Sequence, residues 1–225
     1  MTENNENIIS ENVEQGVKKT ENSFNLLKEV WEWFYTIVIA LAIAFLIKTY
    51  LFDIVRVDGP SMNPTLIHND RLIITKLGYE PDYGDIVILD STYKERQEFY
   101  KNHAGEDAGV FEKAKLYMGM PKSLKKRYYV KRVIAMEGDT IDIVNGDVIL
   151  NGEVLQEDYY DGKTAITDMS VEYPVTVSEG HVFVMGDNRS NSKDSRSSSL
   201  GEVPVEALLG KAQIRVWPFN AIKTF

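Results

Sequence analysis

Ser61 stands in the stretch DGPSMNPTL, residues 58–66, between Pro60 and Pro64 and two residues after Gly59. Proline fixes its own backbone angle, so this hydroxyl sits on a stiff loop. Such a serine either closes a surface turn or is presented as a nucleophile. Serine is a poor nucleophile until a base takes its proton. The chain offers three histidines, His68, His103 and His181, but none lies in a triad motif and there is no G-x-S-x-G elbow. Each reads as a turn or surface residue. The other available base is lysine. Lys131 lies in YYVKRVIAM, residues 128–136, an otherwise apolar run. Successive side chains of a strand face opposite ways, so if Lys131 points to solvent then Arg132 points inward, and the reverse. At least one charge is therefore expected to be enclosed. An enclosed lysine loses hydration, and its pKa falls from about 10.4 toward the ~7–8 of a working general base. Spacing alone does not choose between Lys131 and Arg132.

Composition narrows the classes. The 225 residues include 25 Lys and Arg against 34 Asp and Glu, a formal net charge of −9. No basic face stands out, so nucleic acid is not an expected partner. Cysteine is absent, which excludes disulfides, zinc–thiolate sites and thiol nucleophiles. No cluster of His, Asp and Glu has metal-ligand spacing, and neither a metal nor another cofactor is expected.

Around these residues the chain divides into unlike parts. Residues 1–30 are rich in Glu and Asn and are expected to form a disordered polar tail, with a helix starting near Ser23. Residues 31–52, WEWFYTIVIALAIAFLIKTYLF, carry no charge between Trp33 and Ile47. With Lys48 snorkelling they reach the roughly 20 residues that a bilayer needs. Trp31, Trp33, Tyr35 and Tyr50 are placed as interfacial anchors. KTYLFDIVRV offers no small-residue cleavage site, so a retained anchor is expected rather than a removed leader. Charge does not orient it: Lys18, Lys19 and Lys28 precede the run, Lys48 and Arg56 follow.

From residue 53 to 225 the pattern is period two or short apolar runs. DIVRV, RLIITKL, DIVILD, YYVKRVIAM, TIDIV, DVIL, HVFVMGD and QIRVW read as strands. Asn145-Gly146 and Asn151-Gly152 signal two successive tight hairpins. Strand does not alternate with helix, so a mainly β, antiparallel domain is expected. Residues 92–127 break the rhythm and read as a charged, partly helical or mobile insertion. SNSKDSR, residues 190–196, has the composition of a polar linker.

Four motifs then occur in order behind the apolar segment: GPSMNPTL at 59–66, YGDIV at 83–87, YVKRVIAMEGDTI at 129–141 and GDNRSNSKDSR at 186–196. Together they resemble the type I signal peptidases, membrane-anchored Ser–Lys proteases that remove signal peptides, and most of all the short single-span enzymes of Gram-positive bacteria. The resemblance covers about residues 31–219. It implies Ser61 as nucleophile, Lys131 as general base, Ser192 as the hydroxyl that orients the lysine, and the Ser61 N–H as oxyanion donor. Many relatives carry Ser or Thr where this chain has Gly59, so a second donor would come from the Gly59 backbone or from water. Asp194 and Arg196 would form a scaffold ion pair, Asp187 would pair with Arg132, and Arg189 would lend support. Ser190 stands where many relatives carry Asp. Val55, Val57, Met62, Leu66, Tyr129 and Val130 match positions around a shallow apolar pocket for small residues before the cut bond. The edge of strand 53–58 would pair with extended substrate. The implied partners are signal peptides of secreted preproteins, the lipid bilayer and the secretion translocase. The implied location is the cell membrane, with residues 1–30 cytoplasmic and the catalytic domain outside. Two other readings are weighed: a self-cleaving repressor-type Ser–Lys protease, against which the anchor and the lack of a DNA-binding region speak, and a tethered β domain that only binds, with Ser61 a turn residue.

Overall fold

The computed structural model describes residues 28–166 and 168–225. The expected disorder of the tail and a helix start near Ser23 fall on residues 1–27, outside the described residues. The chain forms two units, Met1–Tyr50 and Leu51–Phe225.

The described residues of the first unit all lie in one helix, α1, Lys28–Leu51, which ends on the first residue of the second unit, is 24 residues long and is apolar enough to cross a membrane. At 1.5 Å per residue it reaches about 36 Å, against ~30 Å of hydrocarbon. Its large apolar side chains are exposed. The last turn, Ile47–Leu51, is π-helical. Phe52, taken above as the last residue of the apolar segment, begins the first strand.

The second unit is built on two antiparallel sheets. The larger holds eight strands: β1 (Phe52–Arg56), β2 (Arg71–Thr75), β3 (Ile86–Asp90), β4 (Tyr128–Met136), β9 (His181–Met185), β10 (Val203–Pro204), β11 (Leu208–Trp217) and β12 (Lys223–Thr224). Their order is β1-β2-β11-β3-β4-β9-β10, with β12 on β11. The smaller sheet is β7 (Glu153–Val154), β6 (Asp147–Leu150), β5 (Thr140–Val144) and β8 (Val175–Thr176), in that order. The two Asn-Gly pairs make its hairpins. Asn145 and Asn151 both sit at φ 52, Gly146 at 85 and Gly152 at 88, the positive pairs that match the strand twist.

Residue type explains why the larger sheet is covered on both faces. β3 reads IVILD and every residue is buried. Ile86 and Ile88 join Val57, Met62, Leu66, Leu72 and Ile74 in one cluster. Val87 and Leu89, on the other face, join Val133, Val182 and Val184. A third cluster brings Ile134 and Phe183 of the larger sheet against Ile141 and Val148 of the smaller. A continuous apolar run is what a strand covered on both faces requires.

Residues 92–127 contain two helices, α2 (Tyr93–Ala104) and α3 (Val110–Gly119). The segment leaves from Asp90 at the end of β3 and returns at Tyr128. Arg96 of α2 is buried and paired with Asp90, which also accepts bonds from the Thr92 N–H and hydroxyl. That buried pair ties the insertion to the sheet.

Candidate active site

Ser61 lies on the loop between β1 and β2, and Lys131 is in the middle of β4. Lys131 Nζ is 2.8 Å from Ser61 Oγ and 2.9 Å from the Val130 carbonyl oxygen. The register explains how two adjacent charges can both be enclosed. Lys131 lies opposite Val87 and Arg132 opposite Ile86, so they take opposite faces, and both faces are covered. Lys131 is 2% exposed and Arg132 8%.

Burial has the largest effect on Lys131: it disfavours the ammonium and pulls the pKa from 10.5 to about 8. The Asp194 and Asp187 carboxylates work against that shift, and Arg196 adds to it. The amine also stands 5.3 Å from the centre of the Tyr129 ring. An amine titrating near neutrality beside a hydroxyl can take its proton.

The Ser61 loop is fixed by its backbone. Asn188 donates its N–H to the Ser61 carbonyl at 3.0 Å and its side-chain amide to the Pro60 carbonyl at 3.1 Å. Asn63 N–H closes a turn on the Pro60 carbonyl, and Leu66 N–H one on Met62. Gly186 lets the 186–196 loop come this close: a Cβ there would run into Ser192 Oγ and the Ser61 carbonyl oxygen.

Three buried arginines hold that second loop. Arg132 grips Asp187 with two bonds, at 2.9 and 2.7 Å, donates to the Gly84 carbonyl, and stacks 3.8 Å from the Tyr159 ring. Arg196 grips Asp194 with two bonds of 2.9 Å. Burial alone would raise the Asp194 pKa, but the Arg196 bonds and charge and the Gly186 N–H hold that carboxyl below its ordinary value. Arg189 pairs with Glu157 and donates to the Thr164 hydroxyl.

The structure adjusts three expectations. Ser192 makes no hydrogen bond to Lys131. Its hydroxyl is buried without a hydrogen bond of good geometry, though near enough to Asp194 to help lower that pKa. The Gly59 N–H donates to His68 Nδ1 at 3.3 Å, so it is already engaged. The Ser61 N–H, among the described residues, has no acceptor. Of the apolar positions, Val57, Met62 and Leu66 lie fully in the core beneath the loop. Val55, Tyr129 and Val130 are the half-exposed ones. β1 is an edge strand, paired with β2 alone.

Glu157, Thr164, Tyr159 and Asn188 were missed by the sequence reading. The first three lie between β7 and β8, where LQEDYYDGKT carries five acids and tyrosines without a periodic pattern. Asn188 sits inside a recognised motif, and its position between Asp187 and Arg189 was the available signal. None of the three histidines hydrogen-bonds Ser61: His103 Nδ1 meets the Phe99 carbonyl and His181 Nδ1 that of Glu179.

A serine hydroxyl beside a buried, weakly basic amine, on a β scaffold and without histidine, is the arrangement that a serine hydrolase using a lysine base requires. Comparison with known proteins identifies a peptidase family. The family described as signal peptidase, peptidase S26, matches residues 30–217. A signal peptidase I from Bacillus licheniformis is 32% identical over 212 residues, covering 90% of this chain and 97% of that one. Signal peptidase I S of Bacillus subtilis strain 168 is 33% identical over 217 residues, covering 91% and 98%. A crystal structure of a signal peptidase I from Enterococcus faecalis V583 aligns at a TM-score of 0.39 with 23% identity, over 60% of this chain and 98% of that chain. The chain belongs to the signal peptidase, peptidase S26, family.

Proposed function

We propose that this protein is a membrane-anchored serine endopeptidase that removes N-terminal signal peptides from preproteins after small residues. The observation that carries the reading is the 2.8 Å contact between Lys131 Nζ and Ser61 Oγ at a buried position. Neutral Lys131 takes the Ser61 proton as Oγ attacks the carbonyl carbon. The developing oxyanion is met by the Ser61 N–H. Lys131, now an ammonium, gives its proton to the departing amine, leaving an acyl group on Ser61. Lys131 then takes a proton from water as the water oxygen attacks the ester carbonyl, and returns that proton to Ser61 Oγ as the acyl–oxygen bond breaks. Arg132–Asp187 and Arg196–Asp194 hold the strand and the loop in register, and Ser192 packs beside Asp194 rather than orienting the amine directly.

Substrate lies extended along the open edge of β1, with its small residues against Val55, Tyr129 and Val130. α1 spans the bilayer. Signal peptides are cut as they emerge, so residues 1–30 are cytoplasmic and the β unit is outside, close to the translocase. The test is cleavage of a preprotein by the full chain in vesicles. Ser61→Ala and Lys131→Ala are each expected to abolish cleavage at an unchanged thermal midpoint. Cleavage by a folded Ser61→Ala variant would overturn the reading.

A further inference from the structure

The insertion's second helix turns two large apolar side chains, Phe111 and Met118, out to solvent. On α3, Phe111, Lys115 and Met118 are spaced four and three apart, and Lys122 follows four later in the short turn after it. At about 100° per residue Phe111, Lys115 and Met118 fall on one stripe, and Lys122 lies beyond the helix end, after the extended Met120 and Pro121. All four are exposed, Phe111 at 94% and Met118 at 75%. The opposite face holds Leu116, Tyr117 and Met120, which are turned inward. The stripe is thus alternately apolar and cationic and has no partner within the chain.

Charge is concentrated there. Residues 110–127 hold Lys113, Lys115, Lys122, Lys125, Lys126 and Arg127 against the single acid Glu112, in a chain whose net charge is −9. Among the described residues Lys115, Lys122 and Lys126 have no ion-pair partner. Lys101 and Glu106, at the α2 end of the hairpin, neutralise each other.

Position supplies the second argument. β1 starts at Phe52, opposite Thr75, which lies opposite Lys211, which lies opposite Val87. β3 runs from that level toward the sheet end where the chain enters, and the insertion leaves from Asp90 beyond it. The hairpin therefore rises from the end of the sheet nearest the start of β1.

We infer that the Phe111–Lys115–Met118 stripe, with Lys122 in the turn beyond it, docks on the surface of a bilayer rich in anionic phospholipid. The inference rests on the membrane-anchored reading above. Phe111 and Met118 enter the headgroup boundary while the lysines meet phosphates, the division of labour of an interfacial helix. Docking would hold the β unit at a fixed attitude to the membrane through a second point besides its anchor.

The chain has no cysteine, so single cysteines carry an environment-sensitive dye without background. Full chains labelled at Leu41, Phe111 or Met118 are reconstituted in phosphatidylcholine vesicles with or without phosphatidylglycerol. Lipid-borne quenchers are expected to reach the dye at 41 in both, and the dyes at 111 and 118 only with phosphatidylglycerol. Replacing Lys115, Lys122 and Lys126 by Gln should lower the docked-to-undocked ratio about fivefold per lysine. Dyes at 111 and 118 that stay in water while that at 41 is in lipid would overturn docking alone, and would leave the stripe to a protein partner. A dye at 41 in water would overturn the anchor, and the docking with it.

Discussion

Lys131 Nζ and Ser61 Oγ meet at 2.8 Å although 70 residues separate them along the chain. The contact is made where the amine has been stripped of water but keeps one carbonyl, that of Val130, as a second partner. Its chemistry follows from that environment.

A base must be neutral to work. With the Lys131 pKa pulled down to about 8, the substrate-saturated rate is expected to rise with pH through that value and level off above it. Two pH units lower, about one molecule in a hundred keeps a neutral amine, so the rate should fall about 100-fold. Lys131→Arg should be inactive, because guanidinium stays protonated. A rate flat from pH 6 to 9 would remove lysine from the base role.

Single replacement of His68, His103 or His181 is expected to leave most activity. His68→Ala releases the Gly59 N–H and should cost least in kcat and some stability. A folded histidine variant as inactive as Lys131→Ala would put a Ser–His mechanism in place of the dyad.

Arg132→Ala should act on stability before chemistry. It strips Asp187, which is 1% exposed, of both its bonds. An unpaired buried carboxylate costs roughly 3–5 kcal/mol. The thermal midpoint should drop by many degrees, and an unchanged midpoint would mean that water satisfies Asp187.

Gly186→Ala probes the nucleophile's placement. Its methyl group has no room beside the Ser61 carbonyl and Ser192 Oγ, so the two loops must part. A displacement of about 1 Å at a reacting group costs about 100-fold in rate. The kcat of the folded variant measures this; a wild-type value would show that the loops can give way harmlessly.

How much of this was legible depends on how local the determinants are. The strands were, because IVILD and YYVKRVIAM write their burial into β-branched runs. The hairpins at Asn145 and Asn151 were too, because a positive φ at two successive residues selects Asn-Gly. The enclosure of both Lys131 and Arg132 was only half legible: the alternation is in the sequence, but cover on both faces is a property of the assembled sheet. The Glu157 partner of Arg189 was not legible, since nothing local separates it from the neighbouring acids. Nor was the engagement of Gly59 by His68, nine residues away across a turn. The helices in 92–127 escaped sharper definition because the exposed face of α3 carries Phe111 and Met118, which blurs the polar–apolar contrast from which helices are read.

β11 lies between β2 and β3 although nearly all of the chain precedes it. Those two strands are consecutive in sequence, yet the half of the sheet that holds β1 and β2 cannot join the half that holds β3 and β4 until residues 208–217 exist. A ribosome must therefore pass residue 217 before the larger sheet can close, and closing such distant pairings is slow. Until then Ser61 and Lys131 have no common scaffold. The newborn chain, itself led by an apolar segment, passes through synthesis and delivery unable to cut itself or its neighbours.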